Sequence, residues 1–172
     1  MKTIENKVAQ SGLITISLEE FHQKGERIIF DIKPYLWQEQ VIKEKDFRTF
    51  IKTHDWEQYK SKFVAITCSV DAIVPSWAYM LVAVALNPYA KKTTFGNLQD
   101  LERELYIDSI NNFDIETIRD ERVLVKGCGD INIPDSVFIS VTEKFIPVVQ
   151  SLMFGEACSN VPLYKKKSST TN

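Results

Sequence analysis

The stretch KFVAITCSVDAIVPSWAYMLVAVAL, from Lys62 to Leu86, has the clearest structural pattern in the chain. Its first six residues form a short, nearly continuous apolar run, which is typical of a parallel strand covered on both faces. After a loop, Pro75 opens a helix, at a position where the missing N–H of proline has no cost. That helix is apolar almost all round and ends at Asn87, so we expect it to be deeply buried. A strand followed directly by a helix predicts an α/β protein.

Two further strand–helix pairs follow this one. KKTTF (Lys91 to Phe95) predicts a strand, and Asn97 is expected to cap a helix with leucines at helical spacing. RVLVKG (Arg122 to Gly127) predicts a third strand. Apolar residues then recur every three or four positions, which predicts a long helix from about Asp135 to Phe154, kinked at Pro147. This alternation predicts a three-layer, Rossmann-like parallel sheet with right-handed crossovers.

The N-terminal part is predicted to be a β-containing extension of that core, either a small lobe or extra edge strands. LITISL (Leu13 to Leu18) and RIIFDI (Arg27 to Ile32) resemble strands, and Gln40 to Glu44 is a third candidate strand. Asp46 is expected to cap a short helix. The predicted organisation has three parts: the extension at 1–60, the α/β core at 61–164 and a disordered tail at 165–172.

Composition limits the classes of function. The chain has 172 residues, 44% hydrophobic and 26% charged, as an ordinary globular protein does. Its formal net charge of -2 supplies no positive field for a phosphate backbone, so no nucleic-acid partner is expected. The longest apolar run, Ala78 to Leu86, is too short to cross a bilayer, and the N-terminus does not resemble a secretory signal. We therefore expect a cytoplasmic protein without a membrane partner, with its three cysteines as reduced thiols.

Two cysteines follow predicted strands. Cys68 comes directly after the first core strand, and Cys128 comes just after the third, between Gly127 and Gly129. Sites in parallel sheets form outside the carboxyl ends of the strands, and the helix N-termini expected next favour thiolates. Asp71, three residues after Cys68, is expected to face the same space.

Cys158 is the third candidate ligand. Three thiolates with a carboxylate or water suit zinc or an iron centre, although no pair of the cysteines has C-x-x-C spacing. The predicted helix from Asp135 to Phe154 would be about 28 Å long and would carry Cys158 to the far end of the sheet. On that geometry Cys158 joins the other cysteines only if the chain reverses sharply near Pro147.

Other chemistry has little support in the sequence. The histidines are His22 and His54, and His54 enters the first core strand from its amino end, away from Cys128, so a Cys–His catalytic pair is not expected. The glycines form neither G-x-G-x-x-G nor a P-loop. Glu19 and Asp31 are interpreted as solvated charges at turns or strand ends.

The strings HDWEQYKSKFVAITCSVDAIVPSWAYMLVA, VLVKGCGD and PVVQSLMFGEACSNVPLYK resemble a bacterial family catalogued as domain of unknown function 2480. The likeness covers most of the chain, from NKVAQSGLITISLEEF through VPLYK. Members carry cysteines in the same three strings, so the resemblance implies that Cys68, Cys128 and Cys158 act together. Genes of the family lie near iron–sulfur assembly genes, which implies a protein partner in that assembly.

Three hypotheses for function remain open. The first is a non-enzymatic metal-binding or iron–sulfur-associated protein, in which zinc or iron is bound by Cys68, Cys128 and Cys158, with Asp71 as an auxiliary ligand. The second is a thiol enzyme or sulfur carrier with Cys128 as the reactive group. The third is a protein interaction module whose cysteines only fill the core.

Overall fold

The computed structural model describes residues 12–127 and 129–167, and the predicted α/β class is confirmed there. The chain divides into two compact units, named here by their sheets: the four-stranded unit (Met1–Gln23 with Tyr106–Asn172) and the three-stranded unit (Lys24–Leu105). The sheets are Rossmann-like in that all their strand pairs but one are parallel. The sequence-based boundaries at residues 60 and 164 stay predictions.

The regular elements follow one another in an alternating order. The strands are β1 (Leu13–Ser17), β2 (Arg27–Asp31), β3 (Phe63–Thr67), β4 (Lys92–Phe95), β5 (Arg122–Lys126), β6 (Ser151–Glu156) and β7 (Ser159–Lys165). The α-helices are α1 (Glu44–Thr53), α2 (Ser76–Leu86), α3 (Leu98–Asn111) and α4 (Asp135–Phe145). Among the described residues, no helix is long and apolar enough to span a membrane.

The three-stranded unit has three layers around the strand order β2-β3-β4. Val64 and Ile66 of the central strand belong to the same buried cluster as the inner face of α2. Phe63 and Ala65, which point to the opposite face, pack with the buried leucines of α3. The apolar run of β3 is therefore explained by burial on both faces, as the sequence predicted.

Helix α2 is less buried than its composition predicts. Ala78, Val82 and Leu86 are buried, but Met80 is 66% exposed and Val84 is 71% exposed. The prediction of deep burial all round is therefore wrong. Only one face of α2 packs on the sheet, and an apolar composition does not indicate whether a second layer covers the other face.

In the four-stranded unit the strand order is β1-β5-β6-β7, with β7 antiparallel to β6. Val123 and Val125 of β5 and Leu152 of β6 lie in one buried cluster with the inner face of α4 and the end of α3. One face of this sheet thus carries the core of the unit.

The predicted long helix from Asp135 to Phe154 is wrong. Helix α4 ends at Phe145, Pro147 lies in the turn that follows, and the chain then enters β6. Proline removes a backbone donor and clashes with the preceding turn of a helix, so it ends α4 instead of bending it. The apolar spacing continued past Pro147 because buried positions of a strand and of a helix can coincide over a few residues.

The N-terminal predictions are partly confirmed. β1 and β2 form where they were expected, each as an edge strand of one sheet. The candidate strand from Gln40 to Glu44 is wrong, because Val41 forms only isolated bridges and Glu44 already begins α1. Asp46 therefore lies inside the first turn and is not the cap, which is Lys43. The predicted cap at Asn97 is confirmed, since its Oδ1 accepts hydrogen bonds from the N–H groups of two residues in the first turn of α3.

Candidate thiol site at the carboxyl edge of the four-stranded sheet

The carboxyl ends of β1, β5 and β6 meet at one edge of the four-stranded sheet because these strands are parallel. The loop of Gly127 and Gly129 follows β5 at this edge.

Cys158 lies in the two-residue turn that joins β6 to β7, and it is exposed. The expectation that Cys158 lies at the far end of the sheet is therefore wrong. The chain reverses after Pro147, so β6 delivers Cys158 to the same edge as the loop that contains Cys128. Cys128 itself lies outside the described residues.

Glu19, two residues after β1, places a carboxylate against this loop. Its Oε1 accepts a hydrogen bond from the N–H of Ile131 at 3.1 Å. A Cβ atom at position 129 would lie 1.8 Å from the same oxygen, so Gly129 is needed for the close approach of the carboxylate. Sequence reasoning missed Glu19 as a site residue. The glycines beside Cys128 indicated a close approach, but nothing in the sequence identified the approaching group.

An ion pair joins the ends of the two strands that lead to the cysteines. Lys126 Nζ, at the end of β5, lies 2.7 Å from Glu156 Oε2, at the end of β6. Each partner is two residues from a cysteine along the chain. The pair is partly exposed, so it contributes at most about 1 kcal/mol to stability. The pair adds no net charge at this edge, because the ammonium of Lys126 and the carboxylate of Glu156 neutralise each other.

The other two predicted ligands, Cys68 and Asp71, lie in the three-stranded unit. Cys68 follows β3 at the carboxyl edge of that sheet, is half-buried and donates its S–H to the carbonyl of Val70 at 3.4 Å. Asp71 is exposed. Within residues 12–127 and 129–167, no group of three or more His, Cys, Asp or Glu side chains could hold a metal. Because Cys128 lies outside these ranges, the four-residue ligand set stays a prediction.

Asp31 holds the loop that carries Cys68, although the sequence suggested only a solvated charge. One carboxylate oxygen accepts hydrogen bonds from the N–H groups of Lys33 at 2.9 Å and Ser69 at 3.0 Å. The other accepts from the hydroxyl of Ser69 at 2.5 Å. Burial raises the pKa of Asp31, but the hydrogen bonds from Ser69 and Lys33 lower it by more, so the net pKa lies below its ordinary value of 3.8.

This pKa predicts a loss of stability in acid. The folded state holds Asp31 ionised more strongly than the unfolded state does. The ionised carboxylate therefore contributes fully to the free energy of unfolding when the pH is above the ordinary pKa of Asp31. This contribution is lost as the pH falls below about 4 and through the lower pKa of the folded state. Replacing Asp31 with asparagine should lower the free energy of unfolding by about 1 kcal/mol at pH 7 and flatten its dependence on pH below 4.5. Urea unfolding between pH 3 and 7 measures both effects. Asp71→Asn, in the same loop, is the control, and equal slopes for wild type and Asp31→Asn would contradict the assignment.

Comparison with known proteins gives one match. A family model described as protein of unknown function, DUF2480, matches residues 2–166. No curated protein and no solved structure matches the chain.

Proposed function

The chain belongs to the DUF2480 family of proteins of unknown function, and we propose that it binds a zinc or iron ion at the carboxyl edge of the four-stranded sheet. The proposed ligands are the thiolates of Cys128 and Cys158 and the carboxylate of Glu19. One observation carries the proposal: the reversal after Pro147 brings Cys158 to the edge that also bears the loop from Gly127 to Gly129.

The donor set suits a soft or borderline metal ion. Thiolates favour zinc and iron over magnesium and calcium, and a carboxylate is a common additional ligand. Two thiolates and one carboxylate leave a fourth position for water or a bound molecule, as in open zinc sites. Cys158 is exposed, so a metal ion can reach it from solution. Binding would release the thiol protons, because only a thiolate is a ligand.

Cys68 and Asp71 have no part in this narrower site. The sequence and the family resemblance favour a set of three thiols, whereas the S–H of Cys68 is hydrogen-bonded to a backbone carbonyl in the three-stranded unit. The two ligand sets predict different results for the same variants, so one experiment separates them.

Cobalt titration of the reduced, metal-free protein tests the proposal. Cobalt(II) reports on thiolate ligands through a near-ultraviolet charge-transfer band whose intensity rises with the number of bound thiolates. We expect this band in the wild type and its displacement by zinc. Cys128→Ser and Cys158→Ser should each halve the band and weaken binding by at least about tenfold, and Glu19→Gln should weaken binding without a comparable loss of intensity.

Cys68→Ser is the matched control and should leave the titration unchanged. A loss of intensity in Cys68→Ser would restore the three-thiol set predicted from the sequence. Absence of the band in the wild type would rule out the metal site. In that case, fast alkylation of Cys128 below neutral pH would support the thiol enzyme or sulfur carrier, and slow alkylation of a folded protein would leave the interaction module.

A further inference from the structure

A cleft of about 440 Å³ lies on the face of the four-stranded sheet opposite to the buried cluster of α4. Its lining includes Arg122, Gln150, Ser151, Met153, Pro162 and Lys165. Arg122 and Ser151 begin β5 and β6, so the cleft lies at the amino ends of these strands, away from the proposed metal site. This volume is within the range of small-molecule sites.

The strand register aligns three polar side chains across this cleft. Arg122 pairs with Ser151, and Ser151 pairs with Lys165, so the three residues form one row over neighbouring strands. Residues paired in this way project to the same face of a sheet. Neighbouring strands lie about 4.8 Å apart, so the backbones of Arg122 and Lys165 are about 10 Å apart. Ser151 lies between them. Their long side chains can converge on a group bound above Ser151.

Arg122 differs from the other four arginines in its ion pairing with the described residues. Four of the five arginines contact a carboxylate: Arg27–Glu102 at 2.9 Å, Arg48–Glu44 at 2.8 Å, Arg103–Asp100 at 3.5 Å and Arg119–Glu116 at 2.6 Å. Arg122 has no ion pair with any residue in 12–127 or 129–167, and neither has Lys165. The neighbouring carboxylate of Asp120 is already paired with Lys166, at 2.9 Å, and does not neutralise Arg122 or Lys165.

We propose that the cleft binds a small molecule that carries a phosphate group on an apolar body. Arg122 supplies a planar donor that fits phosphate oxygens in pairs, Lys165 adds a second positive charge and Ser151 adds a hydroxyl donor. Met153 and Pro162 line the same cleft and offer apolar contact for the rest of the ligand. This site is independent of the proposed metal site.

Binding of phenyl phosphate to the metal-free protein, followed by calorimetry, tests the assignment. Inorganic phosphate and benzyl alcohol separate the charged and the apolar contributions. We expect saturable binding of phenyl phosphate, weaker binding of inorganic phosphate and no measurable binding of benzyl alcohol. Higher salt should weaken the binding, because exposed charges are screened.

Two variants and one control make the test specific. Arg122→Gln and Lys165→Gln should each weaken the binding of phenyl phosphate by about tenfold, the loss expected for one charged hydrogen bond. Arg48→Gln, on the exposed face of α1, should leave it unchanged. Absence of saturation with phenyl phosphate, equal binding of inorganic phosphate, or wild-type affinity in both Arg122→Gln and Lys165→Gln would overturn the proposal.

Discussion

Replacing Phe30 with alanine is expected to lower the free energy of unfolding by about 3–5 kcal/mol, the range for removing a buried aromatic ring. Phe30 is 3% exposed and lies at the centre of an aromatic cluster in the three-stranded unit. Its ring centroid lies 5.4 to 6.2 Å from those of five other rings: Tyr35, Phe50, His54, Trp56 and Tyr59. Removing Phe30 therefore leaves a cavity and breaks several ring contacts at once.

Urea unfolding followed by tryptophan fluorescence measures this loss. The three tryptophans, Trp37, Trp56 and Trp77, all lie in the three-stranded unit, so their emission reports on that unit. Phe95→Ala is the matched control, because Phe95 is 70% exposed and should cost less than about 1 kcal/mol. Equal losses for the two variants would contradict the packing described for this unit.

Replacing Leu152 with alanine is expected to lower the free energy of unfolding by about 2–5 kcal/mol. Leu152 is 1% exposed and lies in β6, where it packs into the core of the four-stranded unit. β6 has neighbours on both sides, so the cavity cannot be filled by a shift of an edge strand. The loss would confirm that the chain after Pro147 is a central strand.

Unfolding followed by circular dichroism in the far ultraviolet measures the effect of Leu152→Ala. Leu163→Ala, in the adjacent edge strand β7, is the control, because Leu163 is 52% exposed. The control should cost about 1 kcal/mol or less. Similar losses at the two leucines would contradict the assignment of β6 as buried and β7 as the edge.

The sequence was informative where the local pattern and the packing agree. The apolar runs of β3 and β5 are buried strands, and the cap at Asn97 begins α3 as expected. The sequence was misleading from Asp135 to Phe154, where the apolar spacing fits one long helix as well as a helix followed by a strand. Proline at position 147 was the signal that should have decided that case, because a proline ends a helix more often than it kinks one.

The candidate site was only partly predictable. The rule that sites form at the carboxyl ends of parallel strands selected Cys68 and the loop of Cys128 from the sequence. The same rule applies to Cys158 only once β6 is known to run parallel to β5. Glu19 was missed because its contact with Gly129 and Ile131 joins residues more than a hundred positions apart, and the sequence does not indicate that pairing.

The most direct test of the metal site is a crystal structure of the protein loaded with zinc, with the metal located by anomalous scattering. We expect one zinc peak about 2.3 Å from the sulfur atoms of both Cys128 and Cys158, with the Glu19 carboxylate at about 2.0–2.2 Å. Sulfur atoms of Cys128 and Cys158 that lie too far apart to share one ion, with no zinc between them, would contradict it.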